Sequence, residues 1–245
     1  MRRGSSRCLT TLFTLLLLGG TASASAQERP FAAGLGLNMY FDDGERERTS
    51  TNTGGAFLDN ERTDIGSNSL LSGEVWMMAH LTEKFRVGGG LRYFGSYSYC
   101  LDDDENCTDG DNNDGEGLAL GKMLEIFARA EVIFPLTPDL DLLLGADVGL
   151  PLLFPGGEFG DEVDALDAMG WSTSDGPRLG YVLGPFVGAR YSFEPWLAMR
   201  GDIGLMWEKV FLLDSTAQSG QTRADIDDSI NWLRVRITLG PEVRW

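Results

Sequence analysis

The last thirteen residues of the chain alternate strictly between apolar side chains and polar or small ones. The apolar parity ends on an aromatic residue and comprises Leu233, Val235, Ile237, Leu239, Pro241, Val243 and Trp245. The other parity carries four charges and comprises Arg234, Arg236, Thr238, Gly240, Glu242 and Arg244. A period of two indicates a β-strand with one apolar and one polar face. A strand of a transmembrane barrel needs this pattern, because one face meets lipid, the other meets the lumen, and aromatic residues lie at the interface.

The same period recurs in eight segments along the chain. They cover residues 31–41, 71–81, 85–99, 118–134, 140–150, 179–193, 197–211 and 230–245. The connections between them alternate between short ones (82–84, 135–139, 194–196) and long, polar ones (42–68, 100–117, 151–178, 214–229). We therefore predict an all-β fold, an eight-stranded antiparallel up-and-down transmembrane β-barrel, with short periplasmic turns, long extracellular loops and both termini in the periplasm.

Residues 1–26 have the features of a secretory signal peptide. Three arginines precede an apolar run at residues 9–18, and a small-residue cleavage site ends at Ala26. The run is too short to span a bilayer as a helix. Cys8 precedes the run, whereas a lipoprotein cysteine would follow it. We predict export and a mature chain of residues 27–245 that forms one barrel domain.

Taken together, the signal peptide, the eight alternating segments and the terminal Val243-Arg244-Trp245 resemble a known family. They are similar to the small outer-membrane barrels related to the membrane domain of OmpA and to OmpX and Ail, and to the wider porin-like outer-membrane β-barrel group. The resemblance implies an outer-membrane location, surrounded by membrane lipid and lipopolysaccharide. It also implies that Trp245 is the assembly signal that the barrel assembly machinery recognises.

The inward parity of the segments carries charges of both signs at similar depths. An eight-stranded barrel leaves an interior just wide enough for side chains, so we predict a lumen filled by ion pairs. The predicted network comprises Glu74, Arg92, Arg129, Asp147, Arg190, Arg200, Asp202, Arg234 and Arg236. The alternative is a conducting pore.

Counting outwards from the short turns predicts which inward residues face one another. The turn at 82–84 places Glu74 opposite Arg92, as a buried ion pair. The turn at 135–139 places Phe127 opposite Asp147, with Arg129 on the diagonal. These pairs are the part of the network for which the sequence predicts a register.

The outward parity, predicted to face lipid, includes Tyr97 and Tyr99 in the third segment and Leu120 in the fourth. It also includes Lys122 and Lys209. Each lysine lies twelve residues from an apolar residue at the periplasmic end, which corresponds to roughly 28 Å, about the height of the apolar band. Two interpretations carry equal weight: the lysines meet lipopolysaccharide phosphates, or they snorkel to the interface.

Charge and cysteine content bound the partners. The chain has a net charge of −17, and the predicted signal peptide contributes three arginines and no acids, so the mature part is near −20. This argues against nucleic acid as a partner.

Cys100 and Cys107 are predicted to form a disulfide that closes a short loop. In the connection 100–117, Asp109, Asp111 and Asn113 have the alternate spacing of a weak calcium site, but a solvated acidic loop is the favoured interpretation.

His80 is the only histidine, so any histidine-dependent catalysis rests on it. The counting places it opposite Arg86, inside the barrel beside a periplasmic turn. Lipid A-modifying enzymes and surface proteases of the outer membrane work at the other side. Thr82 also occupies the place of the serine in the deacylase pattern. We therefore predict a structural histidine and no enzymatic activity.

The functional prediction is a monomeric, non-enzymatic outer-membrane barrel with no cofactor, which acts in envelope integrity or in surface interaction through its acidic loops. In the connection 151–178, residues 161–169 are compatible with a short helix. Its apolar residues indicate either a surface for an extracellular protein partner or packing against neighbouring loops. The alternative function is a small channel for minor or apolar solutes, as in OmpW-like barrels. A lipid A-modifying enzyme is the third possibility.

Overall fold

Backbone pairing between successive segments organises the whole chain. The computed structural model describes residues 29–52, 57–67, 71–101, 117–173, 176–219 and 222–245. The predicted signal peptide, residues 1–26, lies outside them. The elements are β1 (Phe31–Asn52), β2 (Phe57–Ser67), β3 (Leu71–Thr82), β4 (Phe85–Leu101), β5 (Gly117–Pro135), β6 (Leu140–Pro155), α1 (Gly157–Ala168), β7 (Arg178–Glu194), β8 (Leu197–Ser219) and β9 (Thr222–Arg244).

The strands form one closed antiparallel ring. Each strand from β3 to β9 pairs with the next, and β9 pairs with β1. β3 pairs with β1 over Phe31–Met39, and β2 pairs with the rest of β1 over Gly44–Thr51. β2 and β3 therefore share one of eight positions in the ring. The predicted eight-stranded barrel is confirmed, and closure leaves no open sheet edge in the lipid.

The two ends of the barrel differ, and we name them by their connections. The turn end carries the β3–β4, β5–β6 and β7–β8 turns and the two ends of the described chain. Its closure includes the backbone hydrogen bonds between Phe31 and Trp245, at 3.0 and 3.2 Å. The loop end carries the opposite strand ends and α1. Among the described residues, no helix is both long and apolar enough to cross a bilayer.

The outward face of the strands is an apolar belt. On β7, buried and exposed residues alternate without a break from Arg178 to Tyr191. The exposed set there includes Leu179, Tyr181, Leu183 and Val187, each between 39% and 52% exposed. Exposed apolar surface costs about 25 cal/mol per Å² in water, so a belt of this size requires lipid around it. The predicted lipid-facing parity is confirmed for these residues.

Two connections predicted to be long loops are strands instead. β1 continues through the predicted loop 42–68 to Asn52, and β8 and β9 continue through 214–229 with only residues 220 and 221 between them. At ~3.3 Å per residue and a tilt of ~40°, 22 residues rise about 55 Å, roughly twice the apolar band. Outside the lipid the outward face no longer has to be apolar. The alternation therefore fades while the backbone pairing continues.

The continued strands build a four-stranded sheet above the belt, which we call the loop-end sheet. It comprises residues 211–219 of β8, 222–230 of β9, 44–52 of β1 and 57–65 of β2, paired in that order. This part of the barrel wall rises farther than β6 and β7, whose pairing ends at Leu153 and Arg178.

Local bulges reverse the predicted facing of three residues. The β4–β5 register shifts between Phe94 and Tyr97 and again between Tyr97 and Ser98. An extra residue in one strand moves all later side chains to the opposite face. Tyr97, Tyr99 and Leu120 were predicted to face lipid, and this prediction is wrong, because all three are buried in the interior.

The helix α1 lies over the loop end of the barrel. Its buried residues Phe159, Val163 and Leu166 recur at the spacing of one helix face. Glu158 at its start accepts a hydrogen bond from the backbone of β5. Glu162 forms an ion pair with Arg48 on β1, a strand that lies three ring positions from β5. The short helix predicted at 161–169 exists, but it begins earlier, at Gly157.

The bulge on β5 generates a testable prediction. Gly121 has φ +122°, and a Cβ there would lie 2.1 Å from the Phe154 carbonyl oxygen. The Gly121→Ala substitution should lower the free energy of unfolding by about 1–3 kcal/mol or more. The measurement is urea unfolding in micelles, followed by heat-dependent gel mobility. Gly73→Ala is the control, because nothing lies within 4 Å of the added Cβ. Equal stability of the two variants would contradict the bulge.

Candidate functional site

The interior of the barrel collects the charged side chains that the sequence predicted to form a network. All nine point into the barrel and none is more than 4% exposed. They are Glu74 on β3, Arg92 on β4, Arg129 on β5, Asp147 on β6, Arg190 on β7, Arg200 and Asp202 on β8, and Arg234 and Arg236 on β9. Strands contribute them because every second residue of a barrel strand faces inward.

The layer nearest the turn end is centred on Glu242. Arg86 donates to both of its carboxylate oxygens at 2.9 Å, in a bidentate pair. Arg190 donates to the same carboxylate at 3.0 Å. Arg86 also contacts Glu131, which accepts a second hydrogen bond from Arg200 at 2.8 Å. Planar guanidinium groups suit such shared, multiply bonded carboxylates.

The middle layer is centred on Asp147. Arg129 donates to its two oxygens at 2.7 and 2.8 Å. Arg92 lies 3.4 Å from the same carboxylate and also donates to Glu74 at 2.8 Å and to Glu125 at 2.6 Å. Burying a charge costs several kcal/mol unless it is paired. Each guanidinium here has more than one carboxylate, which offsets that cost.

Arg236 joins the two layers. It donates to Asp147 at 2.7 Å and to Asp202 at 3.1 Å, and Asp202 also accepts from Arg200. Aromatic rings also lie among the guanidinium groups of the middle layer. Arg92 and Arg129 lie over the Phe127 ring at 4.7 and 5.0 Å, within the range of a cation–π interaction.

The register of the middle layer differs in part from the prediction. Glu74 faces Arg92, as predicted. Arg129, not Phe127, faces Asp147, so that prediction is wrong. The reason is the β5–β6 turn. The predicted turn at 135–139 would place residue 134 opposite residue 140, but Pro135 pairs with Asp141, which shifts the register by two residues. The direct pairing turns a predicted diagonal contact into a bidentate one.

Above the middle layer, aromatic rings surround a single arginine. The Arg234 guanidinium lies 4.9–5.8 Å from four ring centroids, those of Tyr40, Phe94, Tyr97 and Trp232. Arg234 donates to the Tyr97 hydroxyl at 2.6 Å, and Tyr97 in turn donates to Glu208.

The sequence prediction included Arg234 but none of the four rings around it. Tyr40 and Trp232 lie on the inward parity, so parity alone would have found them. The alternation placed Tyr97 on the lipid face, and the register shifts between β4 and β5 turn it inward. Asp42, within 3.3 Å of Arg234, lay in a predicted loop.

An apolar cluster fills the interior between Arg234 and α1. It is formed by side chains from most strands and from the helix, among them Leu120, Met123, Leu153, Phe159, Val163, Leu166, Val182, Met206, Val210, Leu212 and Ile230. Phe159 is fully buried in it. The helix therefore contributes to the core of the barrel as well as covering its loop end.

Ion pairs hold the helix to the loop-end sheet. Arg48 donates to Glu162 of α1 at 2.9 Å. Arg46 lies 3.9 Å from the same carboxylate and donates to both oxygens of Asp228 on β9. Arg46 also donates to the Tyr99 hydroxyl. One arginine thus connects β1, β4, β9 and the helix.

The outer face of the loop-end sheet is acidic. Asp214 and Asp227 face each other across β8 and β9, and Asp225 lies two residues away. Partial burial, together with these neighbouring carboxylates, raises the pKa of Asp227. Like charges directly opposite each other weaken a strand pair, so this surface favours cationic partners over anionic ones.

The remaining predicted residues have separate positions. Lys122 is exposed on the outer face of β5, opposite Phe154, and Lys209 lies on the outer face of β8, over the Phe211 ring at 5.4 Å. Trp245 is 47% exposed and lies 6.3 Å from the Phe31 ring. His80 faces Arg86 at the turn end.

The loop between β4 and β5 falls outside the described residues. The backbone of Cys100 pairs with Gly66 and Gly117. Its predicted disulfide partner Cys107 is not among the described residues, and neither are the predicted calcium ligands Asp109, Asp111 and Asn113. The disulfide and the calcium site stay predictions.

Comparison with known proteins identifies relatives by structure alone. The sequence matches no protein-family model. No curated protein is detected as a relative. Among solved structures, Neisserial surface protein A is 13% identical, with 87% of this chain and 99% of that one covered and a TM-score of 0.39. The outer membrane protein OprG from Pseudomonas aeruginosa is 11% identical, with 89% of this chain and 97% of that one covered and a TM-score of 0.48.

The outer membrane protein AlkL, solved in lipid bilayers, is 13% identical to this chain. The likeness covers 92% of this chain and 94% of that one, with a TM-score of 0.44. At these identities the similarity concerns the fold. The closed ring of eight strand positions and its apolar outward belt themselves show a transmembrane β-barrel.

The middle layer generates a prediction about stability. Arg92→Ala leaves Glu74, Glu125 and Asp147 with one guanidinium fewer in a buried site. We expect a loss of about 3–5 kcal/mol in the free energy of unfolding, measured by urea titration in micelles. Arg62→Ala, on the exposed face of the loop-end sheet, is the control and should have no measurable effect. A tolerated Arg92→Ala would show that the layer adds little to stability.

Proposed function

We propose that this protein is a non-enzymatic outer-membrane barrel whose interior is closed to solutes and whose loop end acts at the cell surface. In this proposal the turn end faces the periplasm and the loop end faces outward. The observation that supports it is the set of paired guanidinium and carboxylate groups that project into the interior. Its role is to maintain the envelope or to present the loop-end sheet to a partner.

Four consecutive barriers support a closed interior. A solute would first have to pass α1 and the apolar cluster beneath it, then Arg234 within its four rings. It would then meet the layers centred on Asp147 and Glu242. Displacing one guanidinium from these layers leaves buried carboxylates unpaired, which costs several kcal/mol. An ion at thermal energy would cross such a barrier rarely.

Conductance tests this proposal. The folded protein, reconstituted without detergent into a planar bilayer, should give no discrete current steps. The double variant Arg92→Ala, Arg236→Ala removes two guanidinium groups from the middle of the barrel and should give small steps where it folds. Uniform steps from the unaltered protein would contradict the closed interior.

The alternative function is a small channel for apolar solutes. The observation that favours it is the apolar cluster under α1, which offers an apolar solute a favourable environment in the outer half of the barrel. This alternative requires the helix to move. A barrel that transports such solutes would accelerate their uptake into vesicles, whereas a closed one would leave uptake unchanged.

We also propose that lipopolysaccharide contacts the barrel at Lys122 and Lys209. Both lie on the outward face, close to the loop-end limit of the apolar belt. A lysine ammonium at this height can pair with a lipid phosphate, as a point charge. Aromatic neighbours such as Phe211 would hold the Lys209 chain against the surface.

A charge-reversal experiment tests the lipid contact. Lys122→Glu combined with Lys209→Glu should weaken binding to lipopolysaccharide roughly tenfold, because exposed charge pairs contribute up to about 1 kcal/mol each. Binding to phosphatidylcholine micelles should not change. Lys84→Glu, the same substitution at the turn end, is the matched control. Equal lipopolysaccharide binding by all variants would indicate simple snorkelling.

Several further features belong to the proposal. The mature chain begins after Ala26, Trp245 directs assembly by the barrel assembly machinery, and the barrel is a monomer with a Cys100–Cys107 disulfide. The acidic loop 100–117 is solvated, with weak calcium binding as the alternative. The position of His80 at the turn end argues against a lipid A-modifying enzyme, because its substrate lies at the opposite side.

A further inference from the structure

The turn end of the barrel contains a recess of 540 Å³. The three turns and both ends of the described chain line it together, because the ring brings them to one opening. Its volume lies within the ~300–1,000 Å³ typical of small-molecule sites. The lining carries two sets of charges: the cationic or titratable Arg29, His80 and Arg244, and the acidic Glu83, Asp139 and Glu194.

Arg244 is the centre of the cationic set. It donates to the Ser192 hydroxyl at 2.9 Å and, more weakly, to the Glu194 carbonyl at 3.3 Å. Its Nε is buried and has no acceptor among the described residues. A buried donor without an acceptor costs about 1–3 kcal/mol. A carboxylate in the recess would offset this cost through its attraction to the guanidinium charge.

Arg29 adds positive charge beside Arg244. Arg29 donates to the Arg244 carbonyl at 3.1 Å and is only partly buried, so its remaining donors stay available at the recess. His80 is also partly buried there. The carboxylates of the layer beneath, Glu242 and Asp141, already pair with Arg86 and Arg190. They are therefore engaged with other cations.

The acidic set occupies the rim. Glu83, Asp139 and Glu194 come from three different turns, and all three are exposed. A rim of carboxylates around a cationic interior repels a purely anionic ligand. It complements a ligand that carries both an amine and a carboxylate, since each group finds its opposite charge.

We propose that this recess binds short peptides that have a free amine and a free carboxylate. The carboxylate pairs with Arg244 and Arg29 inside the recess, and the amine meets the carboxylates of the rim. In the proposed orientation such peptides would come from the periplasm. This site is independent of whether the interior conducts, because it lies outside the innermost ion pairs.

Binding of tri-alanine to the folded, full-length barrel in micelles tests the proposal by calorimetry. We expect tri-alanine to bind, and both its C-terminal amide and its N-acetyl form to bind at least tenfold more weakly. Equal binding of the three peptides, or no binding of tri-alanine, would overturn the proposal. Heat-dependent gel mobility verifies that each sample is folded.

Two variants assign the ends of the peptide. Arg29→Gln precedes the first strand, so it should fold, and it should weaken tri-alanine binding about tenfold. Glu194→Gln should weaken tri-alanine but leave the N-acetyl form unchanged, since that form has no amine. Arg62→Gln and Glu61→Gln, at the loop end, are matched controls without effect. Unchanged affinity in both recess variants would refute the site.

Discussion

The narrow interior of an eight-stranded ring governs how the side chains of this barrel are arranged. Eight strands enclose a space that only side chains can fill, and the surrounding lipid excludes water from the wall. Every inward charge must therefore find its partner among the other inward side chains, within the length of its own side chain. Arg86, Arg92 and Arg236 each reach carboxylates on other strands, so the network links the strands through their side chains as well as through their backbones.

The same constraint explains why the loop end differs from the middle. Beyond the lipid the outward face can carry charge, and β1, β8 and β9 continue as a sheet with an acidic outer face. The barrel wall there is uneven, because the pairing of β6 with β7 ends below the loop-end sheet. Side chains from the strands alone therefore do not fill the opening. The helix α1 supplies Phe159, Val163 and Leu166 to that space. Arg46 and Arg48 hold the helix in place through Glu162.

Among the described residues, no helix or loop covers the turn end. Its turns are too short to fold over the opening, and the recess lined by Arg29, His80 and Arg244 remains. One barrel thus presents a packed, helix-covered end and an end with a charged recess. Function at each end would follow from this difference: surface contact at the loop end and ligand binding at the turn end.

The amino-acid sequence alone predicts the ring, the apolar belt and the identity of the charged residues inside, because a period of two is enforced wherever one face meets lipid. It also determined the Glu74–Arg92 pairing, which a tight turn fixes. It could not reveal the loop-end sheet, where water removes the need for alternation, or the inward turn of Tyr97, which depends on bulges. Only the tertiary structure decided that Arg129 faces Asp147, that four rings surround Arg234 and that three separate turns form one recess, because these contacts join residues far apart in the chain.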